Sequence, residues 1–277
     1  MIAGIPYTEL AWLAAGLLAA GLATGVLAGL FGVGGGMFLV PLLYEVFRAL
    51  GVDEAVRTHL AVGTSLAVII PTSIRSYRAH LKKGAVEVSV LRLWAAPVVL
   101  GVILGAGVAA MVSGDVLKLV FSVVLGLSGV RMLAGRDDWR LGDSLPGKAL
   151  MRAYGLAIGG LSTLMGIGGG NLSNLLLTLY GMPIHRVVAT SSGLGVLISI
   201  PATIGYVIVG LPHQGALPPG SLGFVSLLGV ILIAPASVLA APWGANLAHR
   251  FSKRRLEVAF GLYQILVAVR FMLAAAG

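Results

Sequence analysis

Eight apolar runs long enough to cross a bilayer dominate this chain, at about 9–32, 59–78, 90–112, 115–134, 151–167, 187–210, 221–243 and 256–275. A hydrocarbon core about 30 Å thick calls for roughly 20 apolar residues per helix, since each helical residue advances only ~1.5 Å. Within that core each backbone polar group must be paired inside the protein, which leaves helices as the structure such runs can adopt. The runs therefore predict an all-α integral membrane protein. Composition agrees: 58% of the 277 residues are hydrophobic and 10% are charged, where a soluble domain carries roughly a quarter. The opening MIAGIPYTEL lacks the basic n-region of a secretory signal, so the first run reads as a span rather than a cleaved leader. With no cysteine, disulfides, thiolate metal sites and thiol catalysis are excluded.

The formal net charge of +9 is a matter of topology. Arg75, Arg78, Lys82, Lys83 and Arg92 cluster around one junction of runs, at the run ends and in the loop between them, Arg131, Arg136, Arg140, Lys148 and Arg152 around a second, and Arg250, Lys253, Arg254 and Arg255 around a third, with Arg186 nearby. Lysine and arginine accumulate in cytoplasmic loops, so these mark the inner side and no nucleic-acid role is expected. The loop LPHQGALPPG at 211–220 has no lysine, arginine or acid and reads as external, as do both termini. Trp12, Trp94 and Trp243, near run ends, read as interfacial anchors.

Two shorter apolar segments, about 37–49 and 171–181, each follow three consecutive glycines. LFGVGGGMFLV at 30–40 is matched 134 positions later by LMGIGGGNLSN at 164–174, and AVGTSL at 61–66 by VVATSS at 187–192. Counting segments gives the halves opposite orientations in the membrane. The reading is two inverted repeats, 1–135 and 149–277, joined by a polar cytoplasmic linker at 136–148, with about eight full transmembrane helices and two short, re-entrant or half helices.

Three adjacent glycines break a helix, at roughly 1 kcal/mol each relative to alanine, and a break at membrane depth is tolerated only where it is buried in protein or lines a watery cavity. Matched Gly-interrupted segments in inverted repeats point to a transporter site near the midplane. Each short helix starts just after its triplet, so its unpaired N–H groups and positive dipole end face the gap, a neutral-residue site for an anion. The candidate ligands are the backbone of Gly34, Gly35 and Gly36 and of Gly168, Gly169 and Gly170, the amides of Asn171 and Asn174, and the hydroxyls of Thr64, Ser65, Thr190 and Ser191. Pro71 and Pro201, later in the same spans, are candidate hinges. Glu45 and His59 are the candidates for proton coupling, although pairing of Glu45 with Arg48 and a capping role for His59 are the simpler expectations. No GxxxxGK[ST], HExxH or GxSxG is present, so no enzyme, cofactor or metal is expected, and a gradient of H⁺ or Na⁺ would drive any pumping. The partners expected are a small anion, the lipid bilayer and, in a homo-oligomer, a second copy of the chain. A channel, or a carrier of another small organic acid or cation, is the alternative; an intramembrane enzyme or receptor is the remotest.

The paired FGVGGG and MGIGGG, each followed by a short apolar segment and then AVGTS or VVATSS, resemble the TauE/SafE sulfite exporter family, also called the toluene sulfonate uptake permeases. The resemblance is closest over 21–78 and 155–205, and the second Thr/Ser copy departs from the usual AVGTSL. It implies an inner-membrane permease for small sulfur-containing anions such as sulfite or organosulfonates.

Overall fold

The computed structural model describes residues 7–31, 35–134, 140–248 and 253–276; Gly34, Arg136, Arg250 and the side chain of Trp12 lie outside the described residues. Among the described residues ten α-helices follow one another: α1 (Tyr7–Phe31), α2 (Gly36–Ala49), α3 (Glu54–Lys82), α4 (Val88–Met111), α5 (Gly114–Ala134), α6 (Lys148–Met165), α7 (Gly170–Leu179), α8 (Ile184–Gly210), α9 (Leu227–Ala248) and α10 (Lys253–Ala276). Six of them, α3, α4, α5, α8, α9 and α10, are long and apolar enough to cross a membrane, and α1 holds a further apolar stretch, Ala14–Ala28. Their outward faces carry exposed Leu100, Ile103, Leu127, Ile204, Leu239 and Leu266, the apolar surface that lipid requires. Inside, Leu43, Leu60, Trp94, Val98, Leu125 and Ile198 are fully buried at the contacts between helices.

The ends of α6 and α7 show how the short helices run. α6 stops after 18 residues where Gly166 turns left-handed and its N–H closes on Ser162. α7 then returns to the end from which α6 came, since Leu141, before α6, donates to the carbonyl of Leu179 at 2.8 Å. The pair is a helical hairpin, with its tip inside the bundle. α2 likewise starts inside, Gly35 packing beside Thr24 and Ala28 of α1, and only four residues separate its end from the start of α3. The two tips touch: a Cβ added to Gly36 would lie 2.7 Å from the Gly166 carbonyl oxygen and 2.8 Å from the Ile167 Cα.

The helices pack in pairs. α1 lies on α9 and α4 on α6, while α3 pairs with α8 and α5 with α10. On α1, Gly21 and Gly25 meet Ile233 and Ser237; on α6, Gly155 and Gly159 meet Trp94 and Val98. These glycines are one turn apart and lie 134 positions from their counterparts, the same interval as the triplets. Small residues at that spacing let helix backbones approach closely. α3 and α8 run antiparallel, Gly193 facing Tyr77 and Gly63 facing Tyr206. α5 and α10 do so too, Phe121 meeting Phe271 while Gly129 meets Gly261.

Two expectations are corrected. The run at 221–243 begins as a β-hairpin, β1 (Ser221–Leu222) paired antiparallel with β2 (Val225–Ser226), because Gly220 and Gly223 adopt positive φ and turn the chain before α9 starts. This hairpin closes one end of the bundle: buried Phe224 donates its N–H to Tyr206 at 3.1 Å and stacks on His59 with centroids 5.0 Å apart. Trp94 is no interfacial anchor; it is fully buried and its Nε1 donates to the Met151 carbonyl at 2.6 Å, fastening α4 to α6.

Candidate functional site

Each short helix begins on a glycine held in the left-handed region, Gly35 at φ +74° and Gly169 at φ +78°. Side chains rarely adopt that conformation, at a cost of roughly 1–2 kcal/mol per residue, which explains glycine at these two equivalent positions. The turn leaves the first helical N–H groups without intrahelical acceptors. Those of Gly168, Gly169 and Gly170 make no hydrogen bond among the described residues, nor do those of Gly35 and Gly36.

A cavity of about 400 Å³ lies against both breaks, lined by Gly35 from the first and by Gly168 and Gly170 from the second. α3 contributes the stripe Ile69, Thr72, Ser73, Ser76 and His80, with Arg75 beside it, a helical face at i, i+3, i+4 spacing. From Val68 to His80 this wall rises by about 18 Å, so the cavity runs from the glycine tips toward the basic end of the bundle. Thr24 of α1, Asn174 of α7, Ser191 and Ser192 of α8, and Ser237 of α9 complete its polar lining. Arg75 is exposed and forms no ion pair among the described residues.

The candidate ligands divide into two sets. Gly35, Gly168, Gly170, Asn174 and Ser191 line the cavity. Ser191 donates to the Asn174 Oδ1 at 2.5 Å and accepts from Ser173 at 2.8 Å. That chain orients the Asn174 amide, whose Oδ1 accepts from Ser191 and whose NH₂ group has no acceptor among the described residues. Gly36 and Gly169 stand just behind, in the packed tips.

Thr64, Ser65 and Thr190 are buried and their hydroxyls are engaged away from the cavity. Thr64 Oγ1 accepts the N–H of Ser226, ahead of α9, at 2.9 Å, and Thr190 Oγ1 accepts the N–H of Glu87, the N-cap of α4, at 3.0 Å. Each threonine thus satisfies an orphan N–H at the start of a helix in the other half of the chain. Ser65 donates to the Gly166 carbonyl at 2.8 Å, bracing the tip of α6–α7. The residue after each triplet is held by the last helix of the other half: Asn171 Nδ2 donates to Ser128 of α5 at 3.2 Å, and Gln264 Nε2 of α10 donates to Met37 Sδ at 3.2 Å.

Glu45 and His59 also stand off the cavity. Glu45 pairs with Arg270 at 2.8 Å and Arg48 at 3.7 Å, and His59 Nε2 lies 3.1 Å from the Ala109 carbonyl. Ser73, Ser76, Ser237 and Arg75 were not among the sequence candidates. The sequence reading groups Arg75 with the loop cations at the end of its run, whereas α3 carries it within the helix and continues to Lys82; the spacing of Ile69, Ser73, Ser76 and His80 was the available signal.

The family described as “Sulfite exporter TauE/SafE” matches the chain over residues 17–271. Among curated relatives, a Haemophilus influenzae “Probable membrane transporter protein” is 29% identical, covering 92% of this chain and 97% of its own length. One from Methanocaldococcus jannaschii is 28% identical over 87% of this chain and 89% of its own, and one from Bacillus subtilis 24% identical over 92% and 96%. No solved structure matches the chain.

Proposed function

The chain belongs to the sulfite exporter TauE/SafE family, and from that premise we propose that it is a secondary transporter moving a small sulfur-containing anion, such as sulfite or an organosulfonate, across the cytoplasmic membrane by alternating access. The observation that carries the anion reading is the meeting of both glycine breaks at one cavity, where unpaired backbone N–H groups and two positive helix ends converge without a buried charge. Asn174, its acceptor already taken by Ser191, adds a side-chain donor. Arg75, exposed on the cavity lining, draws anions in through its field.

The two halves act as inverted repeats, 1–135 and 149–277, joined by 136–148. Antiparallel pairing of α3 with α8, the matched glycine contacts of α1–α9 and α6–α4, and the reciprocal threonine caps support this reading. With the basic end cytoplasmic, the cavity faces inward and the β-hairpin around Phe224 closes the outer side. Rocking of one half against the other opens the equivalent outer path.

The test is uptake of radiolabelled sulfite, thiosulfate and an organosulfonate into proteoliposomes, with and without imposed H⁺ and Na⁺ gradients. Saturable, gradient-stimulated accumulation of one of them is expected and names both the anion and the coupling ion. Flux that does not saturate would replace the carrier with a channel, and no flux under any gradient would remove the sulfur-anion reading.

A further inference from the structure

A second concavity, outside the transport cavity, runs between α4 and α6 on the surface of the bundle, with a volume of about 1080 Å³. Its rim near the helix starts carries three cations, Arg92, Lys148 and Arg152. All three are exposed, and none forms an ion pair or hydrogen bond among the described residues. Glu87, near the same rim, is engaged by Ser89 at 2.8 Å and by Arg186 at 3.4 Å. Lys148 is also the first residue of α6, where unpaired N–H groups add to the positive field.

Below the cations the groove is apolar, walled by Leu93, Pro97 and Leu100 of α4 and Leu156 of α6, with Leu145 over its upper edge. α4 and α6 run parallel here, Gly155 against Trp94 and Gly159 against Val98, so charged and apolar levels coincide on the two helices. Arg92 to Leu100 and Lys148 to Leu156 each advance by about 12 Å, close to the ~15 Å of hydrocarbon in one leaflet. Three cations at the headgroup level over one leaflet's depth of apolar groove match the shape and charge of an anionic phospholipid.

We propose that this groove is a binding site for an anionic phospholipid, the phosphate held by Arg92, Lys148 and Arg152 and an acyl chain lying between α4 and α6. The charge complementarity selects it over a zwitterionic lipid, and basic pockets between transmembrane helices are where anionic headgroups bind. A bound lipid there would brace the α4–α6 pair, whose tip at Gly166 abuts the transport cavity.

Native mass spectrometry of the detergent-purified chain, titrated with phosphatidylglycerol or phosphatidylcholine of the same acyl chains, tests it. Retention of phosphatidylglycerol at least ten-fold over phosphatidylcholine is expected. The combined variant R92Q/K148Q/R152Q should weaken phosphatidylglycerol binding by roughly a hundred-fold, each cation contributing about five-fold. Free glycerol 3-phosphate, which lacks the acyl chains, should not compete. Equal retention of the two lipids, an undiminished preference in the combined variant, or displacement by glycerol 3-phosphate would each overturn the proposal. If the combined variant does not fold, the three single variants carry the test, and retention of full preference in all three overturns it.

Discussion

Gly36→Ala isolates the contact on which the central architecture depends. The added Cβ would lie 2.7 Å from the Gly166 carbonyl oxygen, 2.8 Å from the Ile167 Cα and 2.6 Å from Ile69 Cδ1. The first two are backbone atoms of the opposing tip, and both fall about 0.8 Å short of a comfortable contact. Relief requires the tips to separate, at the 1–3 kcal/mol typical of overpacking, offset by less than about 1 kcal/mol of improved helix propensity. The expected result is a net loss of about 1–2 kcal/mol together with impaired flux, because the displaced tips carry the N–H groups facing the cavity. Gly35→Ala shifts the weight from crowding to strain: its Cβ meets no backbone but only side-chain methyls, tightly, 3.3 Å from Ala28 and 3.4 Å from Thr24, while its φ of +74° costs roughly 1–2 kcal/mol. Gly16→Ala is the control, with no atom within 4 Å of its Cβ, and should be neutral or slightly stabilising. Thermal unfolding in detergent and proteoliposome flux are the assays. Wild-type stability and flux in Gly36→Ala, or equal damage in Gly16→Ala, would refute the reasoning.

Asn174→Asp keeps the acceptor that Ser191 uses but replaces the donor with negative charge; saturable anion flux should vanish while the melting temperature holds, and persistence of flux would remove Asn174 from the site. Thr64→Val orphans a buried backbone N–H, a loss of about 1–3 kcal/mol, and Thr190→Val orphans a part-buried one at a smaller loss; Thr→Ser should restore both in a denaturation assay. Arg75→Gln should slow anion uptake at low salt and converge on wild type as ionic strength rises, read from initial rates across a salt series. Lys118→Met removes a lysine that is 1% exposed and joins Glu54, Asp115 and the Ala274 carbonyl, so unfolding should come at lower temperature with little change in the anion affinity of the cavity.

The apolar runs alone decided that the chain is a helical membrane protein, because a bilayer leaves so few backbone arrangements to a run of that length. The doubled glycine triplets located the breaks and their unpaired N–H groups, since three adjacent glycines carry a local cost that no neighbouring segment can hide. Which side chains face the cavity was a different kind of question. Thr64 and Thr190 sit at matched positions beside hydroxyls that look equally available, but the start of a helix from the other half of the chain takes up each of them. Ser73, Ser76 and Ser237 reach the cavity through helix rotation and through the pairing of α1 with α9, contacts between residues some two hundred positions apart. Local pattern fixes where a helix starts and stops; the face it turns inward, and the partner that claims each hydroxyl, depend on how the helices together fill the space between them.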